Sequence, residues 1–291
     1  MSKIPVLATI RAAYGFAFGH LGAIIGAIWL PMVVVSVTGF FAMQRYYDAS
    51  IDALNSGTPA AMGPVLLMLL GYMLVALLLQ AIVYAAVTQL ALGARQGGMM
   101  HFSLGPAEWR LFRAMLSLLG LLFLLAVIAA LVVQGAALGL RAAGAAPLQS
   151  QSGQALLQLF FLGAVIFVAL RFVFLLPVVA VSESGPVLPR AWLLSNGNFW
   201  RIFAIYLALF APVLTLVIGI EMSLLKPAAF IAANGTVNQV AALQQMRAIL
   251  PLLQGIAFFL SPLLSGLPVG AAAAAWRMLG QGAVPVAPEG R

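Results

Sequence analysis

Residues 159–181 read LFFLGAVIFVALRFVFLLPVVAV, a run of 23 residues with a single charge, Arg171. The hydrocarbon core of a bilayer is ~30 Å thick and a helix rises ~1.5 Å per residue, so a run this long and this apolar crosses a membrane. No water is present there to bond the backbone, and a helix satisfies its own amides and carbonyls. Arg171 inside such a run is costly and needs a partner or a purpose.

Similar runs recur on both sides of this one. The sequence predicts six spans, near residues 20–44, 64–92, 111–140, 155–181, 200–223 and 252–278. The expected fold class is all-α, a polytopic bundle of six transmembrane helices. Of the 291 residues, 64% are hydrophobic and 7% charged. A soluble domain carries ~25% charged residues, so a water-facing shell cannot be built from this composition. One membrane domain is expected over residues 1–282, followed by a flexible C-terminal tail at 283–291. The first apolar segment is too long for a signal-peptide core and is read as retained. Residues 3–18 are apolar, with Lys3 and Arg11 on the polar side, and fit an N-terminal helix at the interface.

The net charge of +8 comes from basic residues scattered near span ends. That is the positive-inside pattern, with attraction to anionic headgroups as a second effect, and it gives no reason to expect nucleic acid. With six spans, Lys3, Arg11, Arg95, Arg110, Arg113, Arg190, Arg201, Arg277 and Arg291 fall on one side. Arg45, Arg141, Lys226 and Arg247 fall on the other, diluted by Asp48, Asp52 and Glu221. Both termini are therefore expected in the cytoplasm. Trp109, Trp192, Trp200 and Trp276 lie on the more basic side, where interfacial anchors belong.

The absence of cysteine excludes disulfides, thiolate metal sites and thiol nucleophiles. The acids are Asp48, Asp52, Glu108, Glu183, Glu221 and Glu289, divided between the two membrane faces. A paired-carboxylate site is not expected. His20 near a span end has the single imidazole that haem or a chlorin needs, but a lone histidine there reads far more readily as an ordinary interfacial residue. His101 has no acid at metal spacing. No Ser-His-Asp, Walker or Rossmann pattern occurs. No catalytic residue, metal site or cofactor is expected.

Four further features stand out. Gly15, Gly19, Gly22 and Gly26 form one stripe that allows close helix approach, within the chain or between two copies. The Thr236–Gln239 segment has capping-box spacing and precedes a helical pattern that ends at Pro251, which predicts a short surface helix. Asn234-Gly235-Thr236 fits a glycosylation acceptor, relevant only in a secretory compartment. Trp109-Arg110-Leu111-Phe112 and Trp200-Arg201-Ile202-Phe203 open spans three and five alike. Duplicated hairpins explain that likeness, and so does a shared need for Trp-Arg anchors.

Two places carry polar chemistry at depth. Arg171 lies ~6 Å to the cytoplasmic side of the midplane if its span is one straight helix centred near residue 167. At that level stand Gln80, Tyr84 and Tyr206, so a polar layer is expected, with Ser265 as a further member. Snorkelling of Arg171 to the interface or contact with a substrate are the alternatives. Span six is interrupted by Ser261-Pro262-Leu263-Leu264-Ser265-Gly266-Leu267-Pro268. Prolines remove backbone donors, and irregular backbone at depth must be covered by protein or face a wet cavity.

The segment 171–203 has the densest local pattern. Pro177 ends or kinks span four, Gly185-Pro186 opens a short helix, and Asn196-Gly197 stops it. With Glu183, Arg190, Trp200 and Arg201, this predicts an amphipathic linker on the cytoplasmic side. The segment resembles an uncharacterised family of bacterial integral membrane proteins related to the membrane domain of glycerophosphoryl diester phosphodiesterases. In that family a Pro, an acid, a Gly, an Ala-Leu-x-x-Ser helix and a Leu-x-x-Gly-x-x-Trp-Arg turn link two spans. Leu194, Gly197, Trp200 and Arg201 match the turn. The helix departs from the pattern, with Ala191 in place of the Ser and Pro189 intruding. The likeness covers 33 of 291 residues. It implies a bacterial cytoplasmic membrane and a fold, and it implies no chemistry. The function expected is a non-enzymatic accessory or scaffolding component of envelope or lipid homeostasis, with membrane lipids, anionic headgroups and a membrane protein as partners. A small transporter or permease subunit using Arg171 and the broken sixth span is the alternative.

Overall fold

The computed structural model describes residues 3–58, 62–94, 104–142, 151–225 and 238–279, with the backbone alone at 136–142, 151–158 and 225. Arg95, His101, Lys226, the 234–236 sequon, Glu289 and the expected tail lie outside the described residues, as does the side chain of Arg141. All regular structure described is α-helix: α1 (Val6–Gly19), α2 (Leu21–Ser56), α3 (Met62–Leu92), α4 (Pro106–Ala142), α5 (Gln151–Val173), α6 (Leu176–Ser182), α7 (Val187–Ser195), α8 (Phe199–Leu225) and α9 (Gln239–Met278). Six stretches are long and apolar enough to span a bilayer: α2, α3, α4, α5 with α6, α8 and α9. The chain forms an all-α polytopic bundle of the multi-pass membrane type. Its outer surface carries Leu67, Phe123, Leu131, Phe160 and Phe259, each largely exposed. Water would penalise such a surface and lipid solvates it.

Side-chain contacts sort the helix ends into two groups. At one end, Asn198 and Arg201 bond Ile4, Gln89 reaches Glu108, Arg110 donates to the Ala180 carbonyl, and Arg277 donates to the Ala91 carbonyl. At the opposite end, Arg247 pairs with Asp48 at 3.0 Å and Gln245 donates to the Leu224 carbonyl at 2.8 Å. The N-terminus, the α6–α7 linker and the end of α9 thus share one end of the bundle, as six alternating spans require.

The C-terminal half of α9 is the centre of the bundle. Residues 265–276 are buried almost without interruption, and most are Gly or Ala. Small side chains let neighbouring backbones approach closely. A Cβ on Gly270 would lie 3.3 Å from the Ala13 Cα and 2.8 Å from the Phe16 Cδ1. A Cβ on Gly266 would meet Ile24 at 3.0 Å. The close approach is therefore on α9. A Cβ on Gly15, Gly19, Gly22 or Gly26 would meet nothing within 4 Å, so that stripe is not a packing seam within the chain. Periodicity located small residues on a face, but the face points outward.

Three sequence boundaries shift. The surface helix expected to end at Pro251 instead runs on into span six as the 40-residue α9. Its cap is Asn238, whose Oδ1 accepts from the Ala241 amide at 3.1 Å, whereas Thr236 lies outside the described residues. Span four breaks after Val173, and α6 turns into the core with Leu176–Ala180 buried. Pro177 has no amide to continue the ladder, which accounts for the break. Lys3, just before α1, and Arg11 within it are exposed, as at an interfacial helix, and α1 also buries Thr9, Ala13 and Ala17 against the bundle. The Ile4 bonds to Asn198 and Arg201 and the Tyr14 bond to the Ala208 carbonyl lay it along the first turns of α8.

Candidate functional site

Arg171 occupies the last turn of α5, and its partners come from the linker. Its Nε donates to the Ser195 Oγ at 3.3 Å. Its Nη2 donates to the Trp192 carbonyl at 3.3 Å and to the Asn196 Oδ1 at 3.4 Å. The guanidinium carbon lies 3.6 Å from the centroid of the Trp192 ring, a cation–π contact. A cation beside the last carbonyls of α7 also opposes the negative end of that helix's dipole. The expected layer of Arg171 with Gln80, Tyr84 and Tyr206 is thus corrected. The depth estimate assumed a straight helix through residue 181, but α5 ends two residues past Arg171, and the linker folds over its side chain.

Gln80, Tyr84 and Tyr206 do come together without Arg171. Gln80 lies within reach of Tyr84 along α3, and Tyr206 from α8 lies next to Tyr84. Both rings line a cavity of about 200 Å³ with Leu118, Phe174, Pro177 and Pro268. Its walls are apolar, so an alkyl group fits it and an ion does not. Ser265 is not part of that layer. It is 2% exposed, and its hydroxyl donates to the Ser261 carbonyl at 2.8 Å.

The break in span six is closed from within. Pro262 leaves the Phe258 carbonyl without its amide partner, four residues back. The Ser261 hydroxyl donates to that carbonyl at 2.7 Å. The carbonyl that Pro262 frees, expected either to face water or to be covered, is covered, and α9 stays helical throughout.

The linker motif divides its work. The Arg190 Nε donates to both Glu183 carboxylate oxygens at 3.1 Å, closing the α6–α7 connection that contains Gly185. Gly197 has φ +74°, the left-handed conformation that ends α7 and that glycine adopts readily. Trp200 is 76% exposed, as an anchor should be, and Trp109 is also exposed. Trp192 and Trp276 are not anchors of that kind: Trp192 carries Arg171, and Trp276 is buried. Arg201 donates to the Ile4 carbonyl at 2.8 Å, while the Ile4 amide donates to Asn198 Oδ1 at 3.0 Å.

Sequence reasoning missed Ser195, Asn196 and Asn198 as partners, although Asn196 and Asn198 flank the glycine that set the turn. It also missed Glu108, which is buried in the first turn of α4 and accepts from Gln89 Nε2 at 3.4 Å. A carboxylate there faces the positive end of the helix dipole. Its place three residues after Gly105 was the available signal.

The class these features define is a multi-pass helical membrane protein with a packed central helix and an ordered linker that accommodates a span-borne arginine. Comparison with protein families, with characterised proteins and with solved structures finds no match.

Proposed function

We propose that the chain is a non-enzymatic accessory or scaffolding protein of a bacterial cytoplasmic membrane, with both termini in the cytoplasm and a role in envelope or lipid homeostasis. The closed centre of α9 carries this reading. Ser261 covers the carbonyl that Pro262 frees, and residues 265–276 are packed against neighbours. Transport through the broken span needs an exposed polar path at that point. Arg171, the other group a transporter would use, already has four contacts within the linker. The excess of basic residues at the linker end supports the orientation.

The test is Ser265→Cys in membranes of otherwise unchanged protein. It is expected to resist both permeant and impermeant thiol reagents, while Asn238→Cys reacts. Labelling of Ser265→Cys from either aqueous face would overturn the accessory reading and promote a small transporter or permease subunit.

A further inference from the structure

At the linker end of the bundle, a cavity of about 360 Å³ opens between α4 and the α6–α7 connection. Arg110, Arg113, Ser117, Ser184, Gly185 and Val187 are among its lining residues, and no acid is. We propose that it seats the phosphate group of an anionic phospholipid. The inference rests on the lipid-linked part of the function proposed above and gives it a location.

Four observations lead there. First, the cavity holds two guanidinium groups without a counter-charge. Arg110 is fixed by donating from Nε and Nη2 to the Ala180 carbonyl at 3.2 and 3.1 Å, a bond that leaves its charge uncompensated. Arg113 is exposed and has no protein partner among the described residues. Of the two acids close in sequence, Glu183 is held by Arg190, and Glu108 is buried in the first turn of α4, where it accepts from Gln89.

Second, the geometry suits a phosphate. Planar guanidinium forks match its oxygens, and the Ser117 and Ser184 hydroxyls add neutral donors on two sides. The first turn of α7 borders the same cavity with no acidic residue and no side-chain cap, so its amides add to the positive field.

Third, the depth is right. Arg110 and Arg113 lie in the first two turns of α4, ~6–10 Å along the helix from Pro106, where headgroups meet the hydrocarbon.

Fourth, a track for an acyl chain leaves the cavity. Ser117, Gly120 and Leu124 follow one another at helical spacing on an exposed face of α4. Gly120 has open space where a side chain would stand. A soluble phosphate ester has no use for that track, and a diacyl lipid fills it.

The test uses the full-length protein in detergent, with phosphatidylglycerol and phosphatidylcholine added in equal amounts and bound lipid counted by native mass spectrometry. Wild type is expected to retain phosphatidylglycerol in preference to phosphatidylcholine. Arg113→Glu should lower that retention about thirtyfold, since a basic residue near an anionic surface counts once and its reversal twice. Arg45→Glu makes the same charge change on an exposed residue of α2 at the far end and should leave retention unchanged. Gly120→Trp should also lower it by obstructing the chain. Millimolar glycerol phosphate should not displace the lipid.

Equal loss in Arg45→Glu would mean general attraction and would overturn the site. Displacement by glycerol phosphate, together with an indifferent Gly120→Trp, would replace the lipid with a soluble phosphate ester and overturn the lipid assignment. Should Arg113→Glu fail to fold, Ser117→Trp tests the same cavity. The Ser265→Cys labelling is independent of all these results, so loss of the lipid site leaves the accessory reading standing.

Discussion

Arg171 shows how a bundle tolerates a charge in an apolar run. A basic residue at the centre of an inserting helix costs about 2.5–3.5 kcal/mol on translocon scales. Its placement in the last turn of α5 lowers that cost, and α7 with the residue that follows it, Asn196, supplies three acceptors and an aromatic face. Arg171→Leu should therefore act in opposite directions on two measurements. Insertion of span four should improve in a translocon assay. Amide exchange of residues 187–195 should accelerate, by about tenfold, if the contacts contribute the ~1–2 kcal/mol typical of polar contacts in membranes. Unchanged exchange in α7 would refute the capping role. Arg171→Lys should recover only part of the protection, because an ammonium cannot stack its plane on Trp192 or engage several acceptors through a fork. The sequence made Arg171 conspicuous but hid its partners. Ser195 and Asn196 were legible as turn residues, and nothing in their spacing tells that a span ends beneath them.

At the scale of elements, α9 makes the most extensive contacts of any helix and was the least well bounded from sequence. Prolines read as boundaries because each removes a ladder bond. In α9 three prolines are accommodated in one 40-residue helix, one of them through the Ser261 hydroxyl. Local rules thus located the missing backbone donors and overstated their effect, since the helix is not interrupted. The glycines that matter were also hidden, since Gly270 and Gly15 look alike in sequence and only the tertiary neighbours differ. Gly270→Leu should destabilise the bundle by about 2 kcal/mol or more, through overpacking against Phe16 and Ala13. Gly15→Leu should change thermal stability in detergent by less than about 0.5 kcal/mol. Equal effects of the two substitutions would contradict the packing described for α1 on α9.

For the whole molecule, hydropathy alone announced the six spans, because the bilayer imposes length and apolarity on every one of them. The charge count leads to an expected sidedness, and the contacts at the two ends group the helix termini as six alternating spans require. In intact cells, Ser184→Cys should be shielded from an impermeant thiol reagent while Ser56→Cys and Asn238→Cys react. The reverse pattern would invert the orientation and place the basic cavity outside. The site was less legible than the fold, because it depends on residues far apart in the chain. The clamp on Ile4 has a further meaning in time. Its partner Asn198 lies 194 residues downstream, and ribosomes add ~5–20 residues per second, so ~10–40 s of synthesis separate the two. Helix α1 must wait, its Thr9, Ala13 and Ala17 face uncovered, until α8 and α9 arrive. The segment around Ile4 is thus seated only after α8 has been made, and a chain truncated before α8 leaves α1 undocked.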